Sequence, residues 1–222
     1  MIFDEFVSKA DAGFLHLKRF LPCRIQFLPF ALCPLLLACG GVPQTFYYTL
    51  AKAPITPVET TGNNHGTLAA VLGVEKFKAE TIYEDDRLIY RESPVEVKYD
   101  HYRRWAARPA QLVTDEIIRQ IDGKRLFKNV ISVPSATHVD YILRGKILAF
   151  EEWDRGEQWF GKVAFKVELY EASSRRLVWR GDFDCETPAE KRLPVSVVQA
   201  ISQSLHECVE ELMLKLAEEL KS

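Results

Sequence analysis

Lys162-Val163-Ala164-Phe165-Lys166-Val167-Glu168-Leu169-Tyr170 is the stretch on which the fold turns. Val163, Phe165, Val167 and Leu169 fall on one face, and Lys166 and Glu168 on the other. A period of two with one polar face marks a strand in a sheet that is wet on one side. Arg176 to Asp184 repeats the pattern, with Leu177, Trp179 and Phe183 inward against Arg180, Asp182 and Asp184 outward. Asp140 to Phe150 reads as a strand before them. Glu171 to Arg175 is short and polar and suits a tight turn. Glu152 to Gly161, rich in Trp, Gly and charge, reads as a connecting segment. The three strands predict an antiparallel meander.

Working outward, Pro109 to Phe127 carries Leu112, Val113, Ile117, Ile118 and Ile121 at helical spacing. Pro109 suits a first turn and Gly123 a stop. A short strand, Val130 to Val133, follows and ends at Pro134. A second helix is expected from about Pro194 to Leu220, with Val198, Ile201, Leu205, Leu212, Leu216 and Leu220 as its apolar stripe. Upstream, Phe46 to Leu50 and Leu68 to Phe77 read as strands, and 51–67, with its Pro, Gly and Asn, as a loop. Arg87 to Arg91 and Val95 to Tyr99 flank Ser93-Pro94 as a hairpin or edge pair. Strands, helix, strands, helix predicts a single α+β domain: a mostly antiparallel sheet with two main helices packed on one face.

The N-terminal segment reads as a leader. Lys18, Arg19 and Arg24 precede an apolar run that ends in Leu36-Leu37-Ala38-Cys39-Gly40-Gly41. A bulky residue three before the Cys and a small one just before it are what a lipoprotein signal peptidase needs. Residues 1–38 are therefore expected to be a signal peptide ending in a lipobox, and 39–222 the exported domain. Cys39 is the expected lipidation site. The run from Ile25 to Ala38 is short for a membrane span and holds Pro29 and Pro34.

The leader holds four of the 29 basic residues and three of the 31 acidic ones, so the remainder carries 25 and 28, a net of −3. No basic field exists to attract nucleic acid. Cys185 and Cys208 remain as unassigned thiols. Two separately buried thiols are expected in preference to a disulfide, which needs Cα atoms within about 7 Å. No Gly-x-Ser-x-Gly elbow and no phosphate loop is present. His65, His101, His138 and His206 lack the paired spacing of a zinc site. Asp182 and Asp184 share a strand face and read as part of its wet side. The chain is expected to be no enzyme and to need no metal or cofactor.

The densest unusual segment is Tyr99-Asp100-His101-Tyr102-Arg103-Arg104-Trp105. It has two readings. In one, the rings bury themselves and Arg91 and Arg104 pin the junction of strand and helix. In the other, Tyr99, Tyr102, Arg104 and Trp105, with Arg91, form a partner-docking patch, because Tyr, Trp and Arg are enriched in binding hot spots.

Tyr47-Tyr48-Thr49-Leu50 after the Cys, Arg87-Leu88-Ile89-Tyr90-Arg91, Tyr99 to Trp105 before a helix, and Leu143-Arg144-Gly145-Lys146-Ile147 before Leu177-Val178-Trp179 form a pattern. It resembles the ABC-type transport auxiliary lipoprotein family, which includes the paraquat-inducible C-type lipoprotein. The resemblance spans nearly all of 39–220. Glu75 to Asp86 departs from it, with charged residues where the family has a Pro-rich apolar stretch. The resemblance implies a periplasmic domain anchored in the outer membrane. Its implied partners are a periplasmic MCE-domain protein and its ABC transporter, in a system that moves lipid between two membranes. A homo-oligomer is left open. A domain that itself carries a lipid is the alternative.

Overall fold

The computed structural model describes residues 43–52, 54 and 68–221. The expected leader, Cys39 and most of the loop expected at 51–67 lie outside them. The elements are β1 (Phe46–Tyr48), β2 (Leu68–Glu75), β3 (Lys78–Ala79), β4 (Arg87–Ser93), β5 (Glu96–Trp105), α1 (Pro109–Gly123), β6 (Phe127–Val133), β7 (Tyr141–Arg155), β8 (Gln158–Glu171), β9 (Leu177–Pro188) and α2 (Pro194–Glu219).

The expected meander is present. β7 pairs antiparallel with β8, and β8 with β9. The segment 152–161 is not a loose connection, however. β7 and β8 continue through it to a two-residue turn at Gly156-Glu157, with Arg155 opposite Gln158. Gly156 has φ +72°, which a tight hairpin turn requires and glycine adopts without strain. Trp153, Trp159 and Phe160 are strand formers, so the aromatic content there marks strand rather than loop.

The other edge of β7 serves several partners in turn. β2 pairs parallel with its start (Leu72 opposite Tyr141), β3 with its middle (Lys78 opposite Lys146) and β4 with its far end (Tyr90 opposite Glu152). β6 extends the sheet beyond β2, while β5 and then β1 extend it beyond β4. The result is one nine-stranded mixed sheet, with antiparallel ladders making its larger part.

Both helices cover one face. Val163, Phe165, Val167 and Leu169 are buried there, as their alternation demands, together with Leu143, Ile147 and Phe150 of β7. α1 adds Val113, Ile117 and Ile121, and α2 adds Ile201, Leu205, Val209 and Leu212. α1 ends at Gly123, four residues before the expected limit, and Phe127 opens β6 instead. Leu177 departs from the inward row. The register of β8 and β9 slips beside it, placing it opposite Tyr170 at an exposed position.

α2 lies directly on the sheet. A Cβ at Gly161 would sit 2.1 Å from the backbone nitrogen of Ile201, so only glycine permits this approach. Ser204 Oγ donates to the Gly161 carbonyl at 2.8 Å. One helical turn later, Cys208 faces Cys185 on β9 and the two form a disulfide, with Cα atoms 5.8 Å apart. This corrects the expectation of separate thiols: the close approach at Gly161 brings the helix within bonding range of β9.

The bridge closes a loop with a sequence separation of 23, which corresponds to about 3 kcal/mol. Urea unfolding of a Cys185→Ala/Cys208→Ala double variant is expected to show a loss of that order. An unchanged midpoint would show that the bridge does not form.

Candidate functional site

The far end of β7 leaves the apolar core and enters a set of charged groups. Glu151 and Glu152 are adjacent, and both are buried. Neighbouring strand residues point to opposite faces, so each carboxylate needs its own partners.

Glu151 is fully engaged. Its oxygens accept from Tyr83 Oη at 2.5 Å, from Arg91 Nε at 2.8 and 2.9 Å, and from Trp153 Nε1 at 2.8 Å. Tyr83 closes a 3-10 turn (Thr81–Tyr83) and is itself buried. Burial, then the bond to Glu151, raises the Tyr83 hydroxyl well above its ordinary pKa. Burial opposes the charge on Arg91, but the hydrogen bonds and negative charge of Glu151 and Tyr83 together outweigh it and hold the guanidinium more firmly protonated. Arg91 is thus an internal counter-ion.

Glu152 is 3 % exposed and has Arg103 Nη1 at 3.6 Å. Burial pushes its carboxyl up to about 7, against the pull of Arg103 and helped by Asp154 and Asp100. Arg103 is also held by Asp100, Nε to Oδ2 at 2.5 Å. Asp100 Oδ1 accepts the backbone N–H groups of Tyr102 at 2.8 Å and Arg103 at 2.7 Å. Burial works to raise Asp100, yet these bonds hold it below the usual carboxylate range.

Asp100 thereby closes a wide bulge. Arg87 lies opposite Arg104 and Ile89 opposite Tyr99, so residues 100–103 of β5 face only Leu88 of β4. The bulge pushes His101 and Tyr102 outward, and Tyr102 is 47 % exposed. Bulges of this kind re-aim side chains.

The five expected docking residues therefore separate. Tyr102 is open to a partner. Tyr99 is part-buried, with the Arg87 guanidinium 4.3 Å above its ring. Arg104 is part-exposed and bonded to Asp86, Nη1 to Oδ1 at 2.5 Å. Arg91 is committed to Glu151. Trp105 is 1 % exposed, its ring 4.8 Å from that of Phe150, and its backbone N–H donates to Asp86 at 2.6 Å. A surface role for Trp105 is corrected: β5 runs on to Trp105 and turns that residue to the core. The structure adds Phe46 and Tyr47, both exposed, on the strand next to β5. Sequence reading took them as strand formers, and Tyr47 as part of the family pattern, not as exposed rings. The Glu151–Tyr83–Arg91 cluster was also missed, although two adjacent carboxylates at the end of an apolar run were its signal.

Of the remaining candidates, His65 lies outside the described residues. His206 shares a hydrogen bond with Gln120 at 2.9 Å between the two helices. Asp182 and Asp184 lie opposite Lys166 and Ala164 on the polar face, with Lys162 Nζ 3.2 Å from Asp184. Among the described residues no group of three or more His, Cys, Asp or Glu is placed to hold a metal. No described helix is long and apolar enough to cross a membrane.

The family model for the ABC-type transport auxiliary lipoprotein component matches residues 48–213. The chain belongs to that family. It is a transport auxiliary family, not a family of enzymes. A crystal structure of a protein from Xanthomonas campestris, of the DUF330 family, superposes with a TM-score of 0.70 at 20 % identity. That match covers 80 % of this chain and 97 % of the other. A second solved structure, of an uncharacterized protein, has a TM-score of 0.61 at 14 % identity, covering 78 % and 99 %. Both likenesses show the fold. No curated protein sequence matches the chain significantly.

The buried carboxyl of Glu152 sets a pH dependence. The folded chain holds its proton up to about pH 7, against an ordinary 4.5. Folding then takes up a proton between those values, so this group makes stability fall as pH rises through that window. Glu152→Gln removes the effect. Its stability relative to the parent is expected to improve from pH 5 to pH 8, by up to about 3 kcal/mol. Equal differences at both pH values in urea unfolding would refute the assignment.

Proposed function

We propose that the chain is an outer-membrane lipoprotein that serves, from the periplasmic face, as the auxiliary component of an intermembrane lipid transport system. The observation that carries this reading is the family match over residues 48–213. The lipobox ending at Cys39 supports the anchor, with residues 1–38 removed as a signal peptide. One acyl chain holds a protein only marginally, whereas two or more hold it firmly. Gly40 stands after the Cys where an inner-membrane retention signal has Asp, which supports an outer-membrane address. The partners are a periplasmic MCE-domain protein and its ABC transporter. The domain works without catalysis or cofactor, by docking. Its docking surface is the bulge that presents Tyr102, bordered by Tyr99 and Arg104 and held in shape by Asp100 and Arg103.

Affinity purification of the full lipoprotein from envelope, with mass spectrometry of what accompanies it, tests this. The MCE-domain protein and ABC components are expected with the parent. Tyr102→Ala is expected to reduce their recovery about tenfold or more, as loss of a hot-spot ring does. Cys39→Ala is expected to leave the outer-membrane fraction. Absence of transport components from the parent preparation would overturn the reading.

A second reading, that the domain carries a lipid itself, is favoured by one observation. A groove of about 580 Å³ runs between the turn after α1 and the end of α2, lined by Leu126, Met213, Leu214 and Ala217 with Lys124 and Arg125 beside them. Native mass spectrometry of the purified chain should show a bound lipid mass if this is so. Its repeated absence would remove the reading.

A further inference from the structure

β1 is three residues long and pairs only with β5. Its outer edge has no partner strand among the described residues. Phe46 is 51 % exposed and Tyr47 is 65 % exposed. As neighbours on a strand they stand on opposite faces of this edge, opposite Arg103 and Arg104 respectively. Tyr48, the next residue, packs against the core and fixes the strand's position. Among the described residues, the two rings therefore flank a backbone edge without a partner strand, and each stays more than half exposed.

The chain reaches this edge directly from the expected anchor. Cys39 precedes Phe46 by seven residues. A fully extended chain covers about 3.4 Å per residue, so a lipid on Cys39 holds Phe46 within about 24 Å of the membrane. The Tyr47 ring, with its polar tip, favours the boundary between headgroups and acyl chains, and the wholly apolar Phe46 ring favours the acyl side of that boundary. The polar edge of β1 suits the same zone, because water and headgroups there satisfy free N–H and C=O groups. The cations beside the rings are already engaged: Arg103 with Asp100 and Arg104 with Asp86. The contact accordingly needs no anionic lipid.

We propose that the β1 edge rests in the headgroup region of the bilayer that holds the anchor, with Phe46 and Tyr47 as its interfacial contacts. This rests on acylation of Cys39. It would orient the whole sheet relative to the membrane rather than leave the domain free on a flexible tether.

The test uses the full mature lipoprotein in phosphatidylcholine vesicles, carrying Tyr47→Cys with a nitroxide label. Cys185 and Cys208 are bonded to each other, so with Cys39 acylated the introduced thiol is the reactive one. Val95→Cys, at a 93 % exposed position in the turn between β4 and β5, serves as the water-exposed reference. The label at position 47 is expected to be open to oxygen and shielded from a water-soluble nickel complex, at least threefold relative to the reference. Equal access to nickel at both positions would overturn the proposal. Shielding from both reagents would overturn it too, and would assign the edge to a second copy or a partner strand. Mass spectrometry of the same sample reports acylation. An unacylated chain would overturn the anchor and this inference together, whereas an acylated chain with a water-exposed label would overturn this inference alone.

Discussion

Everything in the sheet depends on β7 being longer than the strands beside it. Its 15 residues span about 50 Å at strand rise. One edge is occupied along its length by β8. The other takes β2, β3 and β4 in succession, all parallel to it. From Leu72 to Arg91 the chain thus tracks β7 from Tyr141 to Trp153 as a single interrupted strand. Nineteen steps on one side meet twelve on the other, and the surplus must leave the ladder. It does so as the departures between Glu75 and Arg87, a segment dense in charged residues.

That surplus is put to structural use. Phe77 falls over Gly145, where a Cβ would meet its ring at 2.1 Å. Tyr83 reaches Glu151, and Asp85 and Asp86 reach Arg87 and Arg104. The ionic groups gather where β7 passes from its apolar first half to its polar end. A buried carboxylate with three donors is tolerable, whereas a buried carboxylate without them is not. Glu151 has its donors. Glu152 has only a longer contact with Arg103, and it is the one whose proton affinity rises.

The same economy limits what the surface offers. An arginine or tryptophan in an aromatic stretch reads equally well as an anchor for a partner or as internal packing. Here Arg91 and Trp105 serve the interior, and the bulge closed by Asp100 decides that Tyr102 faces out. A four-residue excursion in β5 opposite one residue of β4 leaves no periodic trace, so alternation alone could not place the neighbours His101 and Tyr102 both at exposed positions. Phe46 and Tyr47 were legible as strand formers. Their exposure follows from β1 lying at an edge, which is a fact about neighbours rather than about the residues.

The alternation of Val163 to Leu169, the spacing of the two helices, the α+β class and the family pattern were all determined by the sequence by itself. Each is a relation among residues close along the chain, where periods of 2 and 3.6 are set by backbone geometry. Only the tertiary structure decided the rest: the parallel pairing of β2, β3 and β4 with β7, the slip that exposes Leu177, and the burial of Trp105. The bond between Cys185 and Cys208 belongs with these. It depends on α2 approaching β8 at Gly161, a contact between residues 40 positions apart. No local pattern records such a distance, because it is set by which surfaces the folded chain brings together.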